Sequence, residues 1–343
     1  IKIVSCAPKK FSIMNKFKVY FLVISFVFVL FSCNKSDDAA TILPIRGYSD
    51  QYERDNATIE NYLKTYYIQN PEIVNSPEYA IDQDVVLKKI SDNPGQSSIW
   101  SLWKSSTFPK LDTLNVERHG ITYKVYYLQL RENNVNGESP SQVDEVLVSY
   151  KGYYLKDNST TVNEVEVVDI ESTFFESLIF PKVRFKLDQT IKGWSLVLPK
   201  FKTGIYDVNT PPQSAAIYQN FGAGVMFLPS GLAYFSNTTS TIPSYSPLVF
   251  SFKLYDMKRA DQDEDGVLSI DEDINADGNF DNDDTDADGI PNYLDKDDDG
   301  DGYLTKNEIK INGVVPATYE LILDCNGTTT GLKKHLNGDR NCR

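Results

Sequence analysis

From Gly120 onward the apolar positions of this chain recur with a period of two. Residues 121–130 read as a strand, a turn follows over 134–140, and residues 144–155 read as the next strand. Residues 225–228, entered through Gly222-Ala223-Gly224, and residues 248–254 supply two more. One helical stretch, 191–201, interrupts them. The predicted fold class is therefore α+β, an antiparallel sheet with a short helix packed on one face. Upstream, Tyr52, Ile59, Tyr62, Leu63, Tyr66 and Tyr67 fall at helical spacing within residues 50–69, with Asn56 and Thr58 available to cap. They predict an N-terminal helix packed against the sheet. The text from there to Thr113 is punctuated by Pro, Ser and Asn around short apolar islands and carries no chemistry.

The start of the chain has a different pattern. Met14-Asn15-Lys16-Phe17-Lys18 precedes an almost wholly apolar run over 19–31 that ends in Ser32-Cys33. A basic opening, a short apolar stretch and a cysteine at the expected cleavage point predict a secretory signal peptide over residues 14–33. The run is short for a bilayer span. The block resembles the lipobox of bacterial lipoproteins, which implies lipidation at Cys33 and a protein anchored to the membrane through lipid rather than spanning it. The Lys/Ser/Asp-rich residues 34–38 are similar to those of Bacteroidetes-type lipoproteins. That implies an outer-membrane lipoprotein, facing either the periplasm or the cell surface. Residues 34–46 suit a tether, and Cys6, upstream of the signal, carries no reading.

Charge separates off the C-terminal region. Between Asp261 and Glu308 stand 19 acidic residues and 2 basic ones, a local charge of −17 in a chain whose total is −14. The rest of the chain is thus close to neutral, and the acidity excludes a nucleic-acid-binding surface. Two histidines, His119 and His335, leave almost no material for histidine triads or multi-histidine zinc sites.

The acidic segment has regular spacing. Asp261, Asp263, Asp265, Gly266, Val267 (through its carbonyl), Ser269 and Glu272 fill positions 1, 3, 5, 6, 7, 9 and 12 of a loop, and Asp297, Asp299, Asp301, Gly302, Tyr303 (carbonyl), Thr305 and Glu308 repeat it. This resembles the twelve-residue EF-hand loop, in which oxygen donors surround a hard cation and the glycine permits the turn. Between them lie Asp273, Asn275 and Asp277 before Gly278, then Asp284, Asp286 and Asp288 before Gly289, with Asp295 further on. These look like the calcium repeats of thrombospondin type 3. Together they predict a structural Ca2+ array of four loops over 261–308. In the C-terminal segment, 309–343, Cys325 and Cys342 could close a disulfide in an oxidising compartment.

A further resemblance organises residues 120–257. Tyr150-Lys151-Gly152, Phe175-Glu176, Phe185, Ile191-Lys192-Gly193-Trp194, Gly204, Tyr234, Ile242-Pro243 and Phe250 follow one another as in the FKBP family of peptidyl-prolyl cis-trans isomerases. The resemblance implies an antiparallel sheet wrapped around a short helix, and a pocket lined by Tyr150, Phe175, Glu176, Phe185, Ile191, Trp194, Tyr234, Ile242 and Phe250. It implies Trp194 as the floor under a proline ring, with the Ile191 N–H and the Tyr234 hydroxyl holding substrate carbonyls. The implied partners are unfolded or partly folded proline-containing polypeptides. The chain departs from the family at Glu176, Val183, Thr190 and Phe235, where Asp, an aromatic, Val and Gly are usual, and in two longer stretches, 154–174 and 205–224. The competing reading is a non-catalytic, lipid-anchored peptide-binding or adhesion module made rigid by calcium. The expected organisation is thus signal peptide (14–33), tether and helical region (34–119), isomerase domain (120–257), calcium repeats (261–308) and C-terminal segment (309–343).

Overall fold

Seven antiparallel strands make the central sheet of this computed structural model, which describes residues 44–69, 85–206 and 218–342. The signal segment with Cys33, and residues 207–217 of the second long stretch, lie outside the described residues. The chain opens with helix α1 (Tyr48–Thr65), which leads directly into β1 (Tyr66–Ile68), paired with β2 (Leu87–Lys89). The sheet runs in the order β3 (Lys110–Arg118), β4 (Ile121–Gln129), β12 (Gly222–Leu228), β13 (Leu248–Lys258), β5 (Glu145–Asp157), β8 (Ile170–Leu178), and the two-residue β9 (Phe185–Lys186) pairs with β5. Two small hairpins project from it, β6 (Thr160–Val162) with β7 (Val165–Val167) and β10 (Ile205–Tyr206) with β11 (Tyr218–Gln219).

Both faces of the sheet are covered, and the strand alternation shows it. Along β12, Ala223, Val225 and Phe227 enter one core while Met226 and Leu228 enter the other. That double burial is why β12 reads as an unbroken apolar run. The first core is closed by Ile59, Tyr62 and Leu63 of α1. The second is closed by the short helix α2 (Lys192–Val197) and the turn after it, through Trp194, Val197, Leu198 and Phe201. A bulge in β13 next to β5, between Leu254 and Asp256, shifts the parity, so that Met257 joins the α2 face although Val249 and Tyr255 lie on the α1 face.

Two details differ from the sequence reading. Helix α1 starts at Tyr48 with Gly47 as its N-cap, so Asn56 and Thr58 sit mid-helix, and Tyr66 and Tyr67 belong to β1. The sheet also begins earlier than the two-residue period suggests, because β3 pairs with β4 along its whole length. Only Leu111 and Val116 of β3 are buried, which leaves no alternation to read.

The acidic segment follows β13 as a series of loops with short 3-10 turns and one four-residue helix, α3 (Thr305–Glu308). It is fastened to the sheet where it leaves it. The fully buried carboxylate of Asp144 accepts from the Arg259 guanidinium and from the Ser141 N–H at 2.6 Å, and Gln262 donates to the Val143 carbonyl. Cys325 and Cys342 form a disulfide with Cα atoms 4.9 Å apart. Among the described residues no helix is long and apolar enough to cross a membrane.

Candidate functional site

On the α2 face, strands β5, β8, β9 and β13 converge on Trp194. The ring of Tyr150 stands edge-on to it at 4.9 Å, Phe250 at 5.2 Å and Phe185 at 6.2 Å, and Phe175 packs edge-on against Phe250 at 5.6 Å. Edge-to-face packing aims the positive rim of one ring at the π-face of another, and it gathers these rings into one rigid, apolar aromatic cluster around Trp194. Trp194, Phe250 and Ile242 are buried, whereas Tyr150, Phe175, Phe185, Ile191 and Tyr234 are half-buried around them. All of these residues lie in or against the one core cluster.

Local backbone explains the assembly. A Cβ on Gly152 would lie 2.5 Å from Phe175 and 2.9 Å from Phe250, so only glycine lets these two rings meet over β5. A Cβ on Gly193 would lie 2.5 Å from Leu228, so α2 can press this closely on the sheet only with glycine there. Ile191 is the N-cap residue of α2 in extended conformation, its carbonyl accepting from the Trp194 N–H at 2.9 Å. Its own N–H has no partner among the described residues.

The departures from the family pattern are accommodated. Glu176 still accepts from the Tyr150 hydroxyl, at 3.2 Å. The hydroxyl of Thr190 donates to the Leu187 carbonyl at 2.8 Å and is satisfied by backbone. Phe235 adopts φ 50°, the left-handed region that favours glycine, and is held there by stacking on Tyr48 of α1 at 4.1 Å. Val183 is well exposed. Of the two long stretches, 154–174 extends β5 and β8 and carries the β6–β7 hairpin, while in 205–224 Ile205 and Tyr206 are exposed and Tyr218 and Phe221 pack in the core on the opposite face from Trp194.

Burial, then the charge of Glu176, pushes the Tyr150 hydroxyl up to about 12, and the same two causes raise Tyr234. Both phenols therefore keep their protons at neutral pH as hydrogen-bond donors. The loop that carries Tyr234 is fixed from α1. Asp55, 1% exposed, accepts from the Ser230 N–H at 2.7 Å, the Ser230 hydroxyl at 2.6 Å and Gln51 at 2.6 Å. This brace joins residues 175 positions apart, and sequence periodicity gives no hint of it.

Beside Ile191 and Tyr234 a cleft of about 430 Å³ runs between the sheet domain and the acidic loops, lined also by His119, Phe280, Asp281 and Tyr293. Here the loops touch the helix that carries Trp194. Lys192 of α2 pairs with Asp281 at 3.1 Å, Gln142 donates to the Gly278 carbonyl, and Val143, Phe280 and Tyr293 share a small core.

The four acidic loops have the same local geometry. The glycine N–H groups of Gly266, Gly278, Gly289 and Gly302 donate to Asp261, Asp273, Asp284 and Asp297 at 3.2, 2.9, 2.9 and 3.0 Å. Residues 264, 276, 287 and 300 before them also have positive φ. The N–H groups of Val267, Asn279, Ile290 and Tyr303 donate to Asp265, Asp277, Asp288 and Asp301 at 2.7–2.8 Å. Carboxylates converge in three groups that could hold a metal ion: Asp284, Asp286 and Asp288; Asp297, Asp299 and Asp301; and Asp263, Asp265 and Glu272 with Asp298. In the second loop Asp273 and Asp277 flank Asn275, and the buried Asp283 accepts from the N–H groups of Ile274 and Asn275. Asp295 accepts from the Asp297 N–H, and Glu308 is buried on α3.

Several of these carboxylates keep buried oxygens with no hydrogen-bond partner among the described residues, including both oxygens of Glu272 and of Asp298. Burial, then the neighbouring Asp265 charge, pushes Asp263 up to about 8, Glu272 to about 11 and Asp298 to about 9. Orphaned oxygens that resist sharing a space as anions fit a divalent cation, compatible with calcium. Sequence spacing missed Asp283 and Asp298. The run Asp297-Asp298-Asp299, one carboxylate more than alternate loop positions need, was the available signal for the second.

A family model described as BamM C-terminal matches residues 262–331, the loop array and part of the segment after it. No curated protein matches the chain. Among solved structures, the chain is similar to a peptidyl-prolyl cis-trans isomerase of Pseudomonas syringae pathovar tomato, at 18% identity and a TM-score of 0.29, over 46% of this chain and 86% of that one. It is similar to FkpA of Escherichia coli, at 25% identity and a TM-score of 0.26, over 39% and 48%. It is also similar to the three FKBP domains of wheat FKBP73, at 16% identity and a TM-score of 0.29, over 43% and 50%, so the chain spans about half of each of the last two. These likenesses are partial, and the functional reading stands on the geometry of the chain's own side chains.

Proposed function

We propose that this protein is an FKBP-type peptidyl-prolyl cis-trans isomerase, a foldase for Xaa-Pro bonds in unfolded or partly folded exported polypeptides, with a calcium-stabilised C-terminal array. The observation that carries the reading is the aromatic cluster around Trp194, with Tyr150 and Tyr234 half-buried against it.

Rotation about a peptide bond is opposed by about 18–20 kcal/mol of amide resonance. The twisted amide is less dipolar than the planar one, so moving it from water to an aromatic recess favours the twisted state. Each 1.4 kcal/mol or so of that preference gives about tenfold in rate. The proline ring would lie on Trp194, walled by Phe185 and Phe250. The Ile191 N–H and the Tyr234 hydroxyl would hold flanking carbonyls, and the chain beyond them would pass into the adjoining cleft. Rotation requires no nucleophile, which suits a recess built from rings.

In the array, the alternate carboxylates of each loop, with the carbonyls of Val267 and Tyr303 and the side chain of Asn275, would hold calcium. The bound cation supplies the positive charge that the crowded carboxylates lack, and so contributes folding free energy. Lipid anchoring through Cys33 at the outer membrane belongs to the same proposal, and a Cys33→Ala chain that still partitions with membranes would contradict it.

Refolding of an exported protein limited by proline isomerisation tests the foldase reading. The chain should shorten the slow phase in proportion to its concentration, and Trp194→Ala should abolish the effect. A slow phase unchanged by the wild-type chain would contradict the proposal.

A further inference from the structure

We infer that Asp298, the second residue of the fourth loop, belongs to the cation site of the first loop, so that one calcium ion joins the two ends of the array and couples their occupancy. This rests on the calcium reading above and goes beyond it, because the loop spacing assigns each site to its own loop.

Asp297 and Asp299, on either side of Asp298, converge with Asp301 in the fourth loop's own group. Asp298 is grouped instead with Asp263, Asp265 and Glu272, the ligand oxygens of these four lying within 4.8 Å of one another. All four side chains are buried, Asp298 at 1% exposure and Glu272 at 2%. Among the described residues, both oxygens of each of those two, and one oxygen each of Asp263 and Asp265, have no donor within 3.5 Å in hydrogen-bonding geometry. Bulk water does not reach atoms placed so deeply, and four carboxylates cannot share such a space as anions without a compensating charge. An all-carboxylate donor set of this kind selects a hard, oxygen-seeking divalent cation.

The backbone supplies the coupling. The Asp298 N–H donates to the Thr305 hydroxyl at 3.2 Å, and the Thr305 N–H donates to the Lys296 carbonyl at 2.9 Å, which ties this strand of the loop to the start of α3. Asp297 and Asp298 share a peptide unit, so an ion that fixes Asp297 in the fourth site also sets Asp298 for the first. An ion in either site prepares the other, a positive coupling between the outermost loops, with the second and third loops enclosed in the span from Glu272 to Asp298.

Calcium titration calorimetry on the chelator-stripped full chain tests this, with the wild type beside Asp298→Asn, Glu272→Gln and Asp288→Asn. The amides keep the shape of the carboxylates and remove a buried negative charge, so the metal-free variants should unfold at no lower temperature than the wild type. Asp298→Asn and Glu272→Gln should each bind fewer ions, and each should weaken the fourth site about fivefold or more although Asp297, Asp299 and Asp301 are untouched. Asp288→Asn, in the third loop, should weaken its own site and leave that coupling intact. Hydrogen exchange gives a second readout, since calcium should protect the first-loop amides at higher concentration in Asp298→Asn than in the wild type. An Asp298→Asn chain with wild-type ion number, affinities and first-loop protection would overturn the inference. A wild-type chain that takes up no calcium would overturn the calcium reading itself.

Discussion

Gly152 and Asp55 show how single residues set the aromatic cluster and the Tyr234 loop from opposite sides. Gly152 leaves room for Phe175 and Phe250 to meet, and an added methyl group would have to push back one of two ring edges. Gly152→Ala should cost about 1–3 kcal/mol in urea unfolding, as overpacked sites do, and lower activity on proline peptides. An alanine variant with wild-type stability would show that the rings are free to move. Asp55 is pushed up to about 6 by burial, against the pull of its hydrogen bonds from Ser230 and Gln51. A carboxyl raised in the folded state contributes stability that is complete below the ordinary carboxylate range and is lost as pH rises through the folded value. The stability of the wild type relative to Asp55→Asn should therefore fall between about pH 4 and pH 7, by about 3 kcal/mol for a shift of about two units. A difference that stays flat with pH would contradict the assignment.

Among the elements, helix α1 does more than cover a face. Tyr48 stacks on Phe235 at 4.1 Å and on His119 at 3.8 Å, and the Arg46 guanidinium lies over the Tyr245 ring at 4.7 Å. These contacts hold a loop whose Phe235 is strained by about 1–2 kcal/mol in the left-handed region. Tyr48→Ala should speed hydrogen exchange across residues 230–245 and lower kcat/KM on proline peptides, while calcium binding stays as in the wild type. Unchanged exchange in that loop would mean that it stands without the helix. Legibility follows the same physics. Strands β4, β5, β12 and β13 and the turn of helix at Trp194 could be read because each buries a regular face. That the rings around Trp194 pack together followed from the order of those residues along the chain. Strand β3 and the bracing of Ser230 by Asp55 could not, the first because it buries too little and the second because it joins distant segments. In the array, the turns followed from Asp-x-Asp-x-Asp-Gly spacing, but Asp298 did not, because its partners lie in another loop.

Over the whole molecule, a nearly neutral sheet domain carries an acidic array whose second loop reaches back to α2 through Lys192 and Asp281. A surface pair of this kind contributes at most about 1 kcal/mol, so the docking leans mainly on Val143, Phe280 and Tyr293 and on the loops keeping their shape. Chelation should lower the unfolding temperature of the full chain and loosen residues 261–308 first, and added calcium should restore both. A melting curve indifferent to chelator would show that the array holds itself without a cation. The proposed isomerase activity is tested by a protease-coupled assay on a short Xaa-Pro peptide, with the full chain and its Trp194→Ala and Tyr234→Phe variants. Cis-to-trans conversion should run well above the spontaneous rate in the wild type, be abolished in Trp194→Ala and fall about tenfold in Tyr234→Phe, as loss of one hydrogen bond in the twisted state would give. A folded wild-type chain that leaves the spontaneous rate unchanged would contradict it.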